Sequence, residues 1–131
     1  MSDKHRDQVQ PERFALSSLI DAMPDAIIIA DESGKIVDVN IQAVGMFGYA
    51  KMELVGAQVE VLVPESFHEE HALQRQQYVQ KPRVRPMRSG APISACHKEG
   101  HEFKVEIRLA PYQSPDGFLV VASIREVLQR N

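Results

Sequence analysis

The chain of 131 residues has no tryptophan, one cysteine and only 6% aromatic residues. A lone thiol, Cys96, forms no internal disulfide, so the expected setting is reducing and cytoplasmic rather than that of a disulfide-stapled secreted domain. Long apolar runs are also missing. Stretches such as Ala26 to Ala30 fall far short of the ~20 residues that a membrane-spanning helix needs, and the first residues are charged, without the apolar core of a secretion signal. No membrane partner is expected. Neither sign of charge dominates: the formal net charge is -3, and the basic run from Lys81 to Arg88 is too short to attract a phosphate backbone, so nucleic acid is not an expected partner. Nor does a Ser-His-Asp grouping, a phosphate-cradling loop or a carboxylate pair stand at a meaningful spacing, so no catalytic residue is assigned.

What is present suits one globular domain. Hydrophobic residues make up 44% and charged residues 25%, near the average for folded proteins, and the length allows a single core. Residues 1–10 have almost nothing to bury and read as a flexible lead. From Pro11 the pattern turns helical: Leu16, Leu19, Ile20 and Met23 recur at i, i+3, i+4 and i+7, giving a flanking amphipathic helix over 11–23 that stops at Pro24. Its stripe can pack on its own domain or on a second copy of the chain.

Two hairpins frame the remainder. Asp25 to Ala30 is a β-branched run closed by the turn Asp31-Glu32-Ser33-Gly34, and Lys35 to Val39 then alternates. Asn40 follows directly and is placed to cap the next helix, in which Val44 and Phe47 share a face. Gly48 and Gly56 stop two short helices, and a short apolar segment, Val59 to Val63, ends at Pro64. Residues 65–80 carry no glycine or proline and read as one longer helix, with Phe67, His71, Gln74 and Tyr78 along one side. Three prolines and a glycine between Lys81 and Pro92 make a loop. The second hairpin is Ile93 to His97 and Glu102 to Leu109 around Lys98-Glu99-Gly100, with Phe103, Val105, Ile107 and Leu109 on one face. A last strand, Phe118 to Ile124, reads as the most buried. Five antiparallel strands with helices on one side make an α+β arrangement.

In this order and spacing, Met23-Pro24-Asp25-Ala26, Gly34 to Asn40, Phe47-Gly48-Tyr49, Glu53-Leu54-Val55-Gly56, Val63-Pro64-Glu65 and Lys98 to Ile107 resemble a PAS domain, of the bacterial sensory-box kind, over residues 24–127. The resemblance implies a five-stranded sheet cupping a cavity against the helices. It also implies a cytoplasmic, non-catalytic sensor that dimerises and is covalently linked to an effector: a histidine kinase, a cyclic-dinucleotide enzyme or a transcription regulator. The family commonly ends its last strand in Asp-Ile-Thr. Here Arg125, Glu126 and Val127 occupy that output junction, and 128–131 would begin a signalling helix.

The ligand is bounded mainly by exclusion. Flavin-photoreceptor PAS domains resemble one another in an Asn-Cys-Arg-Phe motif, whereas this chain reads Gln58-Val59-Glu60-Val61, so flavin–cysteine chemistry is not expected. In haem-binding oxygen-sensing kinases the axial histidine falls near Arg85, and a guanidinium cannot ligate iron. Haem is disfavoured, with His71 as the alternative ligand. His68-Glu69-Glu70-His71 has i, i+3 spacing, not the i, i+4 of a zinc-protease helix. Cys96, His97 and His101 flank one turn but lack a fourth partner, so they read as turn residues and no metal site is assigned. The candidate ligand contacts are therefore His71, Arg75, Tyr78, Arg85 and Met87 across from Phe47 and Asn40. Their arginine forks suit an acidic small molecule, unless Arg83 and Arg85 pair with Glu69, Glu70 or Glu102. The dimer contacts would be Leu16, Leu19, Ile20 and Met23. The competing reading is a ligand-free dimerisation spacer whose cavity Phe47, Tyr78 and Met87 fill.

Overall fold

The computed structural model describes residues 16–83, 92–115 and 117–128. Helix α1 (16–21) leads into β1 (Ala26–Asp31) and β2 (Ile36–Val39), followed by α2 (Ile41–Phe47) and α3 (Lys51–Leu54). Two 3₁₀ turns, Val59–Leu62 and Glu65–Phe67, precede α4 (His68–Gln80), and β3 (Ile93–Cys96), β4 (Glu102–Ser114) and β5 (Gly117–Glu126) complete the chain. All pairings are antiparallel, in the order β2-β1-β5-β4-β3. The edge strands β2 and β3 have four residues each, which limits the unpaired backbone they expose.

The continuous apolar run of β1 is explained by burial on both faces. Ala26 and Ile28 join the main core with Phe47, Leu54 and Val105, while Ile27 and Ile29 face the other way and pack with Ile20 of α1, Leu119 and Val121. This corrects the expectation for the last strand: β1, not β5, is the most buried. Val120 and Ala122 of β5 are only partly buried because they front a cavity, and Leu119 and Val121 are only partly covered by α1.

Helix α1 ends at residue 21, short of Pro24, in a turn closed by Ala22 N–H to the Leu19 carbonyl; its start lies outside the described residues. It is tied down by Ser17 Oγ donating to Asp38 Oδ2 at 2.8 Å and by Asp21 Oδ1 accepting from Ile41 N–H at 2.8 Å. Asn40 caps α2 as expected, accepting from Ala43 N–H at 3.0 Å. The stretch read as one helix over 65–80 opens with a 3₁₀ turn and becomes α-helical at His68, a tightening common at helix ends.

Candidate functional site

The sheet supplies a regular apolar wall. Cross-strand register aligns Ala26, Ile124 and Ile107 in one row and Ile28, Ala122 and Leu109 in the next. Side chains in such rows share a face because a strand alternates with period two. Apart from Ala26, which is packed in the core, this face lines a cavity of about 650 Å³ together with Val105, Val120 and Ala30. Phe47 from α2, Val59 and Leu62 from the first 3₁₀ turn, and α4 close the other sides.

Helix α4 brings the polar groups. His71, Gln74, Arg75, Gln77 and Tyr78 all border the cavity, with Lys81 and Arg83 just beyond the helix end. None of its residues is buried, so α4 cannot be held by a packed apolar stripe of the usual kind. What anchors it is Glu60. Its Oε2 accepts from Arg75 Nε at 3.0 Å and from His71 Nδ1 at 2.7 Å, and its Oε1 lies 3.4 Å from Arg75 Nη2. The Glu60 side chain is only 13% exposed and that of Arg75 18%. The guanidinium also covers the β1–β2 turn: a Cβ at Gly34 would come within 2.5 Å of Arg75 Nε. His68 takes a separate partner, donating from Nε2 to the Val63 carbonyl at 2.7 Å.

Burial pushes the Glu60 carboxyl up, but the hydrogen bonds from Arg75 and His71 outweigh it and hold the group below its ordinary value. A depressed carboxylate contributes stability that is complete above the ordinary carboxylate range and is lost as pH falls through its lowered value. Glu60→Gln is therefore expected to lower stability at neutral pH by about 1–2 kcal/mol, the scale of hydrogen bonds to a charged group. The gap to the wild type should close as pH drops below about 4. Urea midpoints at pH 7 and in acid measure both, and a gap independent of pH would count against the charge-based anchor.

The expected ligand contacts separate into groups. His71, Arg75, Tyr78 and Phe47 are brought to one cavity. Arg75 is already engaged by Glu60, and the Tyr78 hydroxyl donates to the Arg83 carbonyl. Asn40 is not at the cavity: it is 1% exposed and spends its amide on the backbone of α1, β1 and α2. Arg85 and Met87 lie outside the described residues. Of the expected apolar stripe, Ile20 on α1 is turned into its own sheet, while Leu16 and Leu19 on α1 and Met23 beyond its end are exposed. Of the residues expected at an output junction, Arg125 pairs with Asp25 at 3.3 Å and Val127 N–H donates to the Lys104 carbonyl at 2.9 Å. Cys96, on β3, donates weakly to the His97 and Gly100 carbonyls.

A family model described as the PAS fold matches residues 15–125, and the chain belongs to that family. It is 26% identical over 101 residues to the sensor protein FixL of Bradyrhizobium diazoefficiens, covering 76% of this chain and 20% of that one. It is 25% identical to an uncharacterized protein of Azorhizobium caulinodans, covering 88% of this chain and 16% of that one. The chain thus spans a fifth or less of the length of these curated relatives. Among solved structures, the PAS domain of a protein from Colwellia psychrerythraea superposes with a TM-score of 0.73 at 22% identity, covering 88% of this chain and 97% of that one. The PAS domain of nitrogen regulation protein NR(II) from Vibrio parahaemolyticus gives 0.66 at 16% identity, covering 86% and 97%. Among the described residues no helix is long and apolar enough to cross a membrane.

Proposed function

We propose that the chain is a sensory input module of a signalling protein and that it binds a small, mainly apolar molecule between the sheet and α4. The observation that carries this reading is the cavity: about 650 Å³, within the ~300–1,000 Å³ typical of small-molecule sites and, like them, apolar with a few polar groups. The apolar sheet rows would take the body of the ligand, and Gln74, Gln77 and the cations Lys81 and Arg83 would face its polar end, which favours an acid group there. Because Glu60 already holds Arg75 and His71, the ligand would meet α4 as a clamped element. A ligand changes output only through different affinities for two arrangements. Here the two would differ in how α4 sits on Glu60, with β5 carrying the difference past Arg125, Glu126 and Val127 to a covalently linked effector.

Ala122 lies in the middle row of the cavity wall, so Ala122→Phe would fill the space a ligand needs. The wild type is expected to retain a small molecule in native mass spectrometry, or to gain melting temperature with at least one compound from a metabolite screen. Ala122→Phe should lose that gain without losing its own fold. A wild type that carries nothing and responds to no compound would point instead to a dimerisation spacer, a reading favoured by the exposed Leu16, Leu19 and Met23.

A further inference from the structure

We propose that the β3–β4 turn binds a late first-row divalent metal ion, of the class of Zn²⁺, Ni²⁺ and Cu²⁺, through His97, Glu99 and His101. The site is separate from the cavity and does not depend on it. The ligand atoms of these three side chains lie within 4.8 Å of one another. The turn itself produces this. His97 N–H donates to the His101 carbonyl at 2.9 Å and Gly100 N–H to the His97 carbonyl at 2.8 Å, while Gly100 takes φ +103 to close the loop. The two imidazoles are thereby laid face to face, with centroids 4.4 Å apart and planes 18° from parallel.

His97 is the preset member. Glu99 N–H donates to its Nδ1 at 3.0 Å, so Nδ1 is the unprotonated nitrogen, with its lone pair turned toward the loop. Glu99 Oε1 stands 3.8 Å from the same atom. The ring is fixed from behind by the backbone at Gly48, where an added Cβ would come within 2.3 Å of it. Its side chain is 17% exposed against 79% for Glu99. A tetrahedral ion with bonds of ~2.0–2.1 Å needs donors about 3.4 Å apart. Because an imidazole binds along a lone pair in its ring plane, the two stacked rings do not yet aim at one ion; the exposed His101 ring would tilt out of the stack, the Glu99 carboxylate would close in, and the metal would take over the Nδ1 lone pair from the Glu99 N–H. Two imidazoles and one carboxylate, completed by water, suit Zn²⁺, Ni²⁺ or Cu²⁺, whereas Ca²⁺ and Mg²⁺ need more oxygen donors than the turn offers. The carboxylate is what a grouping of Cys96 with the two histidines overlooks.

Binding would also matter beyond the turn. Lys98 N–H donates to the Phe47 carbonyl at 2.9 Å, and Lys98 Nζ pairs with Glu53 at 2.7 Å. A metal on this hairpin would therefore stiffen its docking against the end of α2. The probe is Zn²⁺ alone, titrated calorimetrically into the full chain in a non-chelating buffer. The expected result is one equivalent bound with Kd tighter than roughly 100 μM and a raised melting temperature. Glu99→Gln and His101→Gln should each weaken binding by about tenfold or more. Glu99→Gln, whose side chain is exposed and whose backbone N–H is kept, should leave the metal-free melting temperature unchanged, while His101→Gln gives up the stack on His97 and is read by its metal-dependent rise in melting temperature alone. His68→Gln should bind as the wild type does. No saturable binding at one equivalent, or binding that survives both Glu99→Gln and His101→Gln, would overturn the site.

Discussion

Asn40→Ala is expected to destabilise the domain by about 4 kcal/mol, which at this size is a fall in melting temperature of roughly 15 °C. The Asn40 side chain is almost wholly buried and makes four hydrogen bonds to backbone. Its Oδ1 accepts from Ile27 N–H at 2.8 Å and Ala43 N–H at 3.0 Å. Its Nδ2 donates to the carbonyls of Ile20 at 2.7 Å and Asp25 at 2.9 Å. Truncation strands polar groups of three elements at once, and each buried orphan costs on the order of 1–3 kcal/mol, with strong non-additivity in a shared network. The cap alone accounts for about 1 kcal/mol, so Asn40→Ser, which keeps a capping oxygen but cannot reach the carbonyls, should recover only that part. Chemical denaturation with an unchanged m-value gives the measurement. A loss below ~1 kcal/mol for Asn40→Ala would mean that the bonds to α1 and β1 add nothing to the cap.

Much of this domain is written in local pattern, and the parts that are not share a cause. Both hairpins are legible because alternation and glycine turns act within a few residues: Gly34 and Gly100 take φ +85 and +103 where the sequence marks the turns. Asn40 is legible as a cap for the same reason, since its Ala43 bond is local. Its other partners lie 13 to 20 residues away, and no periodicity encodes them. Strand β4 runs on to Ser114, past the expected end at Leu109. Pro111 argues against a central strand, yet β3 pairs only as far as Val105, and an edge position tolerates proline. Glu60 escapes sequence reading altogether. It sits in a four-residue 3₁₀ turn, with its partners 11 and 15 residues downstream, so an acid between two valines gives no local sign that it holds a helix. The apolar cavity wall was legible as strand faces, but β5 looked like core because sequence cannot distinguish a residue facing a void from one facing side chains.

Gly48→Ala should be the most damaging of three glycine substitutions that are equivalent on backbone grounds. Gly34, Gly48 and Gly56 take φ +85, +80 and +95, a left-handed conformation that costs an alanine roughly 1–2 kcal/mol. Their surroundings differ. A Cβ at Gly56 meets nothing within 4 Å, so Gly56→Ala should show the conformational cost alone. A Cβ at Gly34 meets the Arg75 guanidinium at 2.5 Å, the far end of a flexible side chain that can swing aside at the expense of its bond to Glu60. A Cβ at Gly48 meets the His97 ring at 2.3 Å. That ring is confined by Glu99 N–H and by the stack with His101, while Lys98 N–H binds the carbonyl of Phe47 next door. Relief requires the whole β3–β4 turn to lift from α2, taking the Lys98–Glu53 pair with it. Gly48→Ala is thus expected to cost about 3 kcal/mol or more, on the scale of overpacking added to backbone strain, against about 1–2 for Gly56→Ala. It should also speed hydrogen exchange at Lys98 and Gly100, which Gly56→Ala should leave alone. Equal losses for the two variants, with no local change in exchange, would show that the contact between His97 and Gly48 does not hold the hairpin in place.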